Sequence, residues 1–217
     1  MLTIIVGARS SPLSKTQVSE VLEHLRVFHP HVKFEPHFTL STGDQDKKTS
    51  LRSMGKTDFF TKEIDHLLLN GKCRIGIHSA KDLPEPLPLG LKLIALTEGV
   101  DSSDVLVLRQ KDTLSLLQPE ALIATSSQRR EEAVKQLRHD FTFCDLRGTI
   151  SERLDLLEQG KADGVVVAEA ALIRLGLTHL NRIKIPGDTV PFQGKLAILS
   201  RDNDEEMETL FHCLDTR

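Results

Sequence analysis

The segment IGIHSAKDLP, residues 75 to 84, sets a lysine and an aspartate side by side where an apolar run ends. Ile75, Ile77 and Ala80 read as buried strand, and Pro84 forbids that strand from continuing through a sheet centre. A carboxylate fixed at such an end can stabilise a developing cation or move a proton. The plain alternative is a surface ion pair between Lys81 and Asp82, worth about 0–1 kcal/mol.

Arginines mark four further places where a strand pattern gives way to a helix pattern. VGARSSPLSKTQ carries Arg9, with Ser10 or Ser11 placed to cap a helix and Pro12 suited to its first turn. IATSSQRREEAV carries Arg129 and Arg130 just after Ser126 and Ser127. CDLRGTISERLDLL puts Arg147 and Gly148 in the turn, Ser151 near the cap and Arg153 in the first helical turn. VVVAEAALIRLG holds Arg174 a little deeper in its helix. A helix N-terminus is already positive, so arginine is unfavourable there unless an anion is expected. Its planar fork suits a carboxylate or phosphate. Any one of these arginines reads equally well as a solvated charge, and Glu131, Glu132 and Glu152 offer local partners. Four such junctions together describe a binder of a polyanionic small molecule.

The chain has 217 residues and a formal net charge of -3. Such a balance does not point to nucleic acid, and with neither Trp nor Tyr a base-stacking platform would rest on nine Phe. The apolar runs are too short for a membrane span. MLTIIVGARSSP enters a strand pattern directly, without a leader signature, so a cytoplasmic location and a monomer are the expectations. The three cysteines, Cys73, Cys144 and Cys213, are odd in number and far apart, which supports neither a disulfide framework nor a metal ribbon. His29, His31 and His37 read as surface residues, and no metal site is expected.

These junctions need elements to hold them. Nine strand candidates alternate with amphipathic stretches: LTIIVGA, KFEPHFTL, RIGIHSA, LKLIAL, DVLVL, LIATS, FTFCDL, GVVVAEAA and KLAILS. This alternation predicts an α/β chain with mixed, mostly parallel sheets. Turn-rich seams at TEGVDSSD and PGDTVPFQG divide it into residues 1–97 plus 191–217, and residues 98–190. Two lobes joined by two crossovers imply a cleft between them.

GARSSPLSKTQ, HSAKDLP, ATSSQRR, LRGTISERLDLLEQGKAD and ALIRLGL resemble, in order and spacing, the motif series of the porphobilinogen deaminase (hydroxymethylbilane synthase) family. The resemblance implies a two-lobed fold like that of type II periplasmic binding proteins. It also implies deamination of porphobilinogen and head-to-tail joining of four units into a linear tetrapyrrole for haem synthesis. On it, Asp82 is the catalytic carboxylate, facing pyrrole N–H groups. Arg9, Ser11, Gln17, Arg147, Arg153 and Arg174 hold substrate. Lys81, Asp82, Thr125, Ser127, Arg129 and Arg130 hold a dipyrromethane cofactor.

Four departures from the family pattern stand out. The family's third domain and its Gly-Gly-Cys anchor find no match, so Cys73, Cys144 and Cys213 read as small buried or half-buried residues. The loop SMGKTDFF keeps Gly55 and Lys56 but has Asp58 where glycine is usual. The crossover VPFQGKLAI keeps Gln193 and Gly194 but has Lys195 in place of a small residue. Glu169 adds a negative charge to a strand the family keeps apolar. The alternative reading is a truncated or degenerate, non-catalytic binder of polycarboxylates or pyrroles.

Overall fold

The computed structural model describes residues 2–46, 48–50, 52 and 57–217. Gly55 and Lys56 lie outside them. In chain order the elements are β1 (Thr3–Arg9), α1 (Pro12–Phe28), β2 (Lys33–Thr39), α2 (Thr42–Gln45), α3 (Lys62–Leu69), β3 (Ile75–Ser79) and β4 (Leu91–Leu96). Then come β5 (Asp104–Leu108), β6 (Leu122–Ala124), α4 (Gln128–Lys135), β7 (Thr142–Cys144), α5 (Ile150–Glu158), β8 (Gly164–Ala168), α6 (Glu169–Arg174) and β9 (Arg182–Lys184). The chain ends with β10 (Leu196–Arg201) and α7 (Glu205–Phe211).

Contacts divide the chain into two units. Residues 2–46, 57–100 and 194–217 form the first; residues 101–193 form the second, joined by residues 48–50 and 52. The chain therefore crosses at 100/101 and 193/194, within each of the two turn-rich segments and three residues after the boundaries read from the sequence.

The first sheet has the order β2-β1-β3-β10-β4 and the second β7-β6-β8-β5-β9. β1 runs parallel to β2 and β3, while β10 runs antiparallel to β3 and β4. Likewise β6 runs parallel to β7 and β8, while β5 runs antiparallel to β8 and β9. Each unit thus repeats one topology: of its four mutually parallel strands the first lies between the second and third, one antiparallel strand (β10 or β5) lies beyond the third, and the fourth lies outside it. No sequence repeat announces this, because the two sheets share directions and connections rather than side chains.

Burial explains the strand patterns. All five residues of β5 and of β8 are buried, as expected where helices cover both faces of a sheet. Val18, Val21, Leu22 and Leu25 of α1 pack on Ile4, Val6 and Ala8 of β1 and on Ile75 and Ile77 of β3. Such side chains contribute about 1.5–3 kcal/mol each. On the other face α3 approaches Gly7 and Gly76, which are register partners. A Cβ on Gly76 would lie 2.9 Å from Ile64 Cγ2, so glycine there lets the helix sit on the backbone.

Several local expectations change. β9 and α2 have no sequence counterpart, because three and four residues show no period. β8 ends at Ala168, so Glu169 is the first residue of α6 and not a strand residue. The α5 cap is Thr149, in a capping box with Glu152; Ser151 lies inside the helix. Cys73 is buried and Cys144 half-buried, but Cys213 is exposed.

Candidate functional site

In each sheet the first and third of the parallel strands (β1 and β3, β6 and β8) are neighbours whose connections leave in opposite directions along the sheet. Ligands of open α/β sheets bind at the carboxyl ends of strands at this switch point. In the first unit those ends carry Arg9 (β1) and the Ala80–Asp82 turn (after β3). In the second they carry Thr125 to Arg130 (after β6) and Glu169 (after β8).

In the first unit, Ser11 caps α1 by accepting from Ser14 N–H at 3.2 Å, with Pro12 as the first helical residue. Gln17, buried on α1, donates from Nε2 to Ser79 Oγ at 2.9 Å and ties the helix to the last residue of β3. Asp82 follows three residues later in a single 3-10 turn and is half-buried. Its carboxylate makes no hydrogen bond or ion pair with any described residue, Lys81 included; Lys81 is also half-buried. The Arg9 guanidinium donates from Nε to Asp44 Oδ2 at 3.1 Å and from its terminal nitrogen to Oδ1, and lies 4.7 Å from the centre of the Phe60 ring. Asp44 is preset for this, because its Oδ2 also accepts from Ser41 N–H at 3.0 Å and Ser41 Oγ at 2.8 Å. Burial tends to raise the Asp44 carboxyl, but Arg9 and Ser41 together hold it below its usual value. His78, fully buried on β3, is pushed down to about 4 by burial and then by the charge of Arg9. It is therefore neutral at neutral pH.

In the second unit, Thr125 is buried and its N–H donates to Cys144 O at 2.9 Å. Ser126 Oγ donates to Leu146 O at 2.8 Å and accepts from Leu146 N–H at 2.6 Å, which joins the ends of β6 and β7. Ser127 caps α4, its Oγ accepting from Arg130 N–H at 3.4 Å. Arg129 and Arg130 share one counterion, Asp104 at the start of β5. Arg130 donates to its Oδ1 at 2.5 Å and Arg129 to its Oδ2. Arg129 also donates to Asp188 O at 2.7 Å, and its Nε is buried without an acceptor among the described residues. Gln193 Nε2 adds a third donor to Asp104 at 2.9 Å. Burial alone would raise the Asp104 carboxyl; the two arginines outweigh it and keep it below its usual value.

Arg147 and Gly148 form the turn after β7, with Gly148 at φ 91°. A Cβ there would lie 2.6 Å from Glu152 Oε2. Arg153 Nε donates to Gly148 O at 2.8 Å, so Arg153 braces this turn. Arg174 is the last residue of α6, roughly 8 Å along the axis from its first. It therefore sits at a helix C-terminus, where a cation suits the dipole without any anion, and the N-terminal argument made for it from the sequence does not apply. Glu169 is paired within its own unit: Arg182 Nε donates to its Oε1 and Oε2 at 3.0 and 2.8 Å, and another Arg182 nitrogen to Oε1 at 2.7 Å.

Sequence reading missed Asp44, Asp104 and Arg52. Arg52 pairs with Asp145 and, at 2.6 Å, with Glu131, and donates to Thr125 O at 3.2 Å. Asp104 lies in the turn-rich DSSD, read only as a seam. Asp44 had one signal available, the S-T-G-D spacing of a capping box.

This pair of sheets, each with cations at its switch point, defines a class: a two-unit α/β ligand-binding fold of the periplasmic-binding-protein type. An ABC transporter periplasmic substrate-binding protein from Coxiella burnetii matches it with a TM-score of 0.60 at 14% identity, covering 97% of this chain and 91% of that one. The OxyR2 regulatory domain from Vibrio vulnificus matches at 0.56 and 11%, covering 98% and 92%. In sequence, the family model for porphobilinogen deaminase, dipyrromethane cofactor binding domain, matches residues 4–209. A probable porphobilinogen deaminase of Chlamydia muridarum is 40% identical over 206 residues, spanning 95% of this chain and 84% of that protein. Porphobilinogen deaminase of Chloroherpeton thalassium is 35% identical over 215 residues, spanning 98% and 68%. The chain belongs to the porphobilinogen deaminase family, transferases of tetrapyrrole synthesis.

Two half-buried cations against one buried anion leave the Asp104 cluster one negative charge short, and Arg129 keeps a buried Nε–H with no acceptor among the described residues. These residues fit a carboxylate-bearing group such as dipyrromethane. No helix among the described residues is long and apolar enough to cross a membrane.

Proposed function

We propose that this chain is a hydroxymethylbilane synthase, which deaminates porphobilinogen and joins four units head to tail. The observation that carries the reading is the half-buried Asp82 carboxylate at the β1/β3 switch point, which has no hydrogen-bond or ion-pair partner among the described residues, with Arg9 ending the neighbouring strand.

Each porphobilinogen brings an acetate and a propionate. Arg9, Ser11, Gln17, Arg147, Arg153 and Arg174 are assigned to the substrate and the growing chain. Lys81, Thr125, Ser127, Arg129 and Arg130 are assigned to the acidic groups of dipyrromethane, which when bound supplies the pyrrole carbon that starts the chain. Within these sets Ser11 and Ser127 act through the helix caps they make, and Gln17 through its bond to Ser79. Arg153 acts through the Gly148 carbonyl.

The chemistry assigned to Asp82 follows from charge. The protonated aminomethyl group (–CH2–NH3+) loses its C–N bond, and the electron pair leaves with ammonia. The porphobilinogen ring then carries a positive charge shared with its N–H. A fixed carboxylate accepts a hydrogen bond from that N–H and stabilises the positive charge more once it has moved from the ammonium onto the ring, which lowers the barrier. The exocyclic carbon next bonds to a free pyrrole α-carbon, whose proton leaves to restore aromaticity. Asp82 is the carboxylate at hand to take it. His78, neutral and buried, donates no proton at neutral pH.

The test is porphobilinogen consumption and ammonia release by the purified chain, with and without added hydroxymethylbilane. Turnover in either arm supports the enzyme reading. Binding of porphobilinogen without turnover in both arms replaces it with the non-catalytic binder.

A further inference from the structure

Asp104 has no role in the chemistry above, yet it is deeply enclosed in its own unit: its side chain is 1% exposed. Its backbone is fixed twice. Asp104 pairs with Ala168 across β5 and β8, and its carbonyl accepts from Ile185 N–H at 3.0 Å. Its side chain is fixed as well. Oδ1 accepts from Arg130 and from Gln193 Nε2, whose other acceptors are Ser102 O at 2.7 Å and Ser103 O at 3.3 Å. Oδ2 accepts from Arg129, which is held a second time by Asp188 O. A carboxylate held from so many sides cannot swing out to a ligand.

Long guanidinium side chains lose considerable rotamer entropy when a ligand orders them. Here one terminal nitrogen of each arginine is already committed to an immobile anion. Arginine carries five N–H donors, so most of each fork is left over, including the buried Arg129 Nε. The cluster's charge, two cations to one anion, also leaves a net attraction for one more carboxylate.

We propose that Asp104 is the positioning residue of the Arg129–Arg130 pair, holding both guanidiniums in the geometry that takes a cofactor carboxylate. The proposal rests on the assignment of these arginines to the dipyrromethane site. Asp104 acts through them and does not itself touch the ligand. Removing its charge frees both forks and raises the entropy lost on binding. That loss outweighs whatever competition between Asp104 and the ligand is relieved.

The experiment is a double-mutant cycle on the full chain, with a dipyrromethane tetracarboxylate as the titrated probe and thermal unfolding of every variant as the fold control. Asp104→Asn should weaken probe binding by about tenfold, as loss of a charge-assisted bond does. In the Arg129→Gln/Arg130→Gln background the same change should have an effect below about twofold, because the residues it acts through are gone. Equal weakening in both backgrounds would mean a general structural role and overturn the proposal. So would unchanged binding in Asp104→Asn. If Arg129→Gln/Arg130→Gln itself binds the probe normally, the cofactor assignment fails, and the proposal with it.

Should Asp104→Asn not fold, Arg130→Lys reads the same point. Lysine keeps the charge but lacks a fork to span Asp104 and a ligand together. Loss of affinity comparable to Arg130→Gln supports positioning, and wild-type affinity overturns it.

Discussion

Arg9 ends β1 with its guanidinium on Asp44, a carboxylate that also closes the capping box of α2 through Ser41. One acidic side chain therefore both starts a short helix and fixes an arginine assigned to substrate. Asp44→Asn should cost about 1–2 kcal/mol, the sum expected from a weakened cap and a lost charge-assisted bond. The folded Asp44 carboxyl lies below its ordinary value of 3.8. Its contribution is therefore complete above that value and fades as pH falls through the folded one. Urea unfolding should show a gap between wild type and Asp44→Asn at pH 7 that shrinks at pH 3. A gap of the same size at both values would show that the charge of Asp44 does not matter.

Asp65 on α3 titrates in the opposite sense. It is buried, accepts from Thr61 Oγ1 at 2.7 Å and leaves Oδ1 without a partner among the described residues. Burial, the largest influence, raises its carboxyl to about 6. The fold thus favours the protonated form, and stability falls as pH rises from about 4 to about 6, then levels off. Asp65→Asn should be more stable than wild type at pH 8, by on the order of 2 kcal/mol. That advantage should disappear below pH 4. An asparagine variant less stable than wild type at pH 8 would mean that Asp65 is charged without penalty.

Glu169 and Arg182 tie α6 to β9 through two carboxylate oxygens. Glu169→Gln leaves the Arg182 charge half-buried without its counterion and should cost about 1–3 kcal/mol. Porphobilinogen turnover at a temperature where both proteins are folded should stay within about twofold, since so small a ratio is under 0.5 kcal/mol of barrier. A large fall in kcat at unchanged unfolding temperature would return Glu169 to the reaction.

What could be read in the sequence was read where local chemistry decides. Ser11 before Pro12 identifies a helix start without tertiary help, and so does Ser127 before Gln128. The runs VLVL of β5 and GVVVA of β8 identify strands covered on both sides. β9 is Arg-Ile-Lys and exists because β5 offers it an edge. The pattern placed Arg174 a little inside its helix, but α6 has six residues and Arg174 ends it. Asp104 was illegible for a different reason: its burial comes from arginines 25 and 26 positions away. Glu169 misled in the same way, since its partner lies 13 residues on, in the strand that the sequence did not reveal.

Asp82→Asn, compared with wild type for ammonia release from porphobilinogen in the presence of added hydroxymethylbilane, tests the central claim most directly. Asparagine keeps size and hydrogen bonding but removes the charge. The expected result is a fall of about a hundredfold or more, as when other preorganised electrostatic groups are removed, at an unchanged unfolding temperature. Equal rates in the two proteins would contradict the account, and so would a wild type that releases no ammonia.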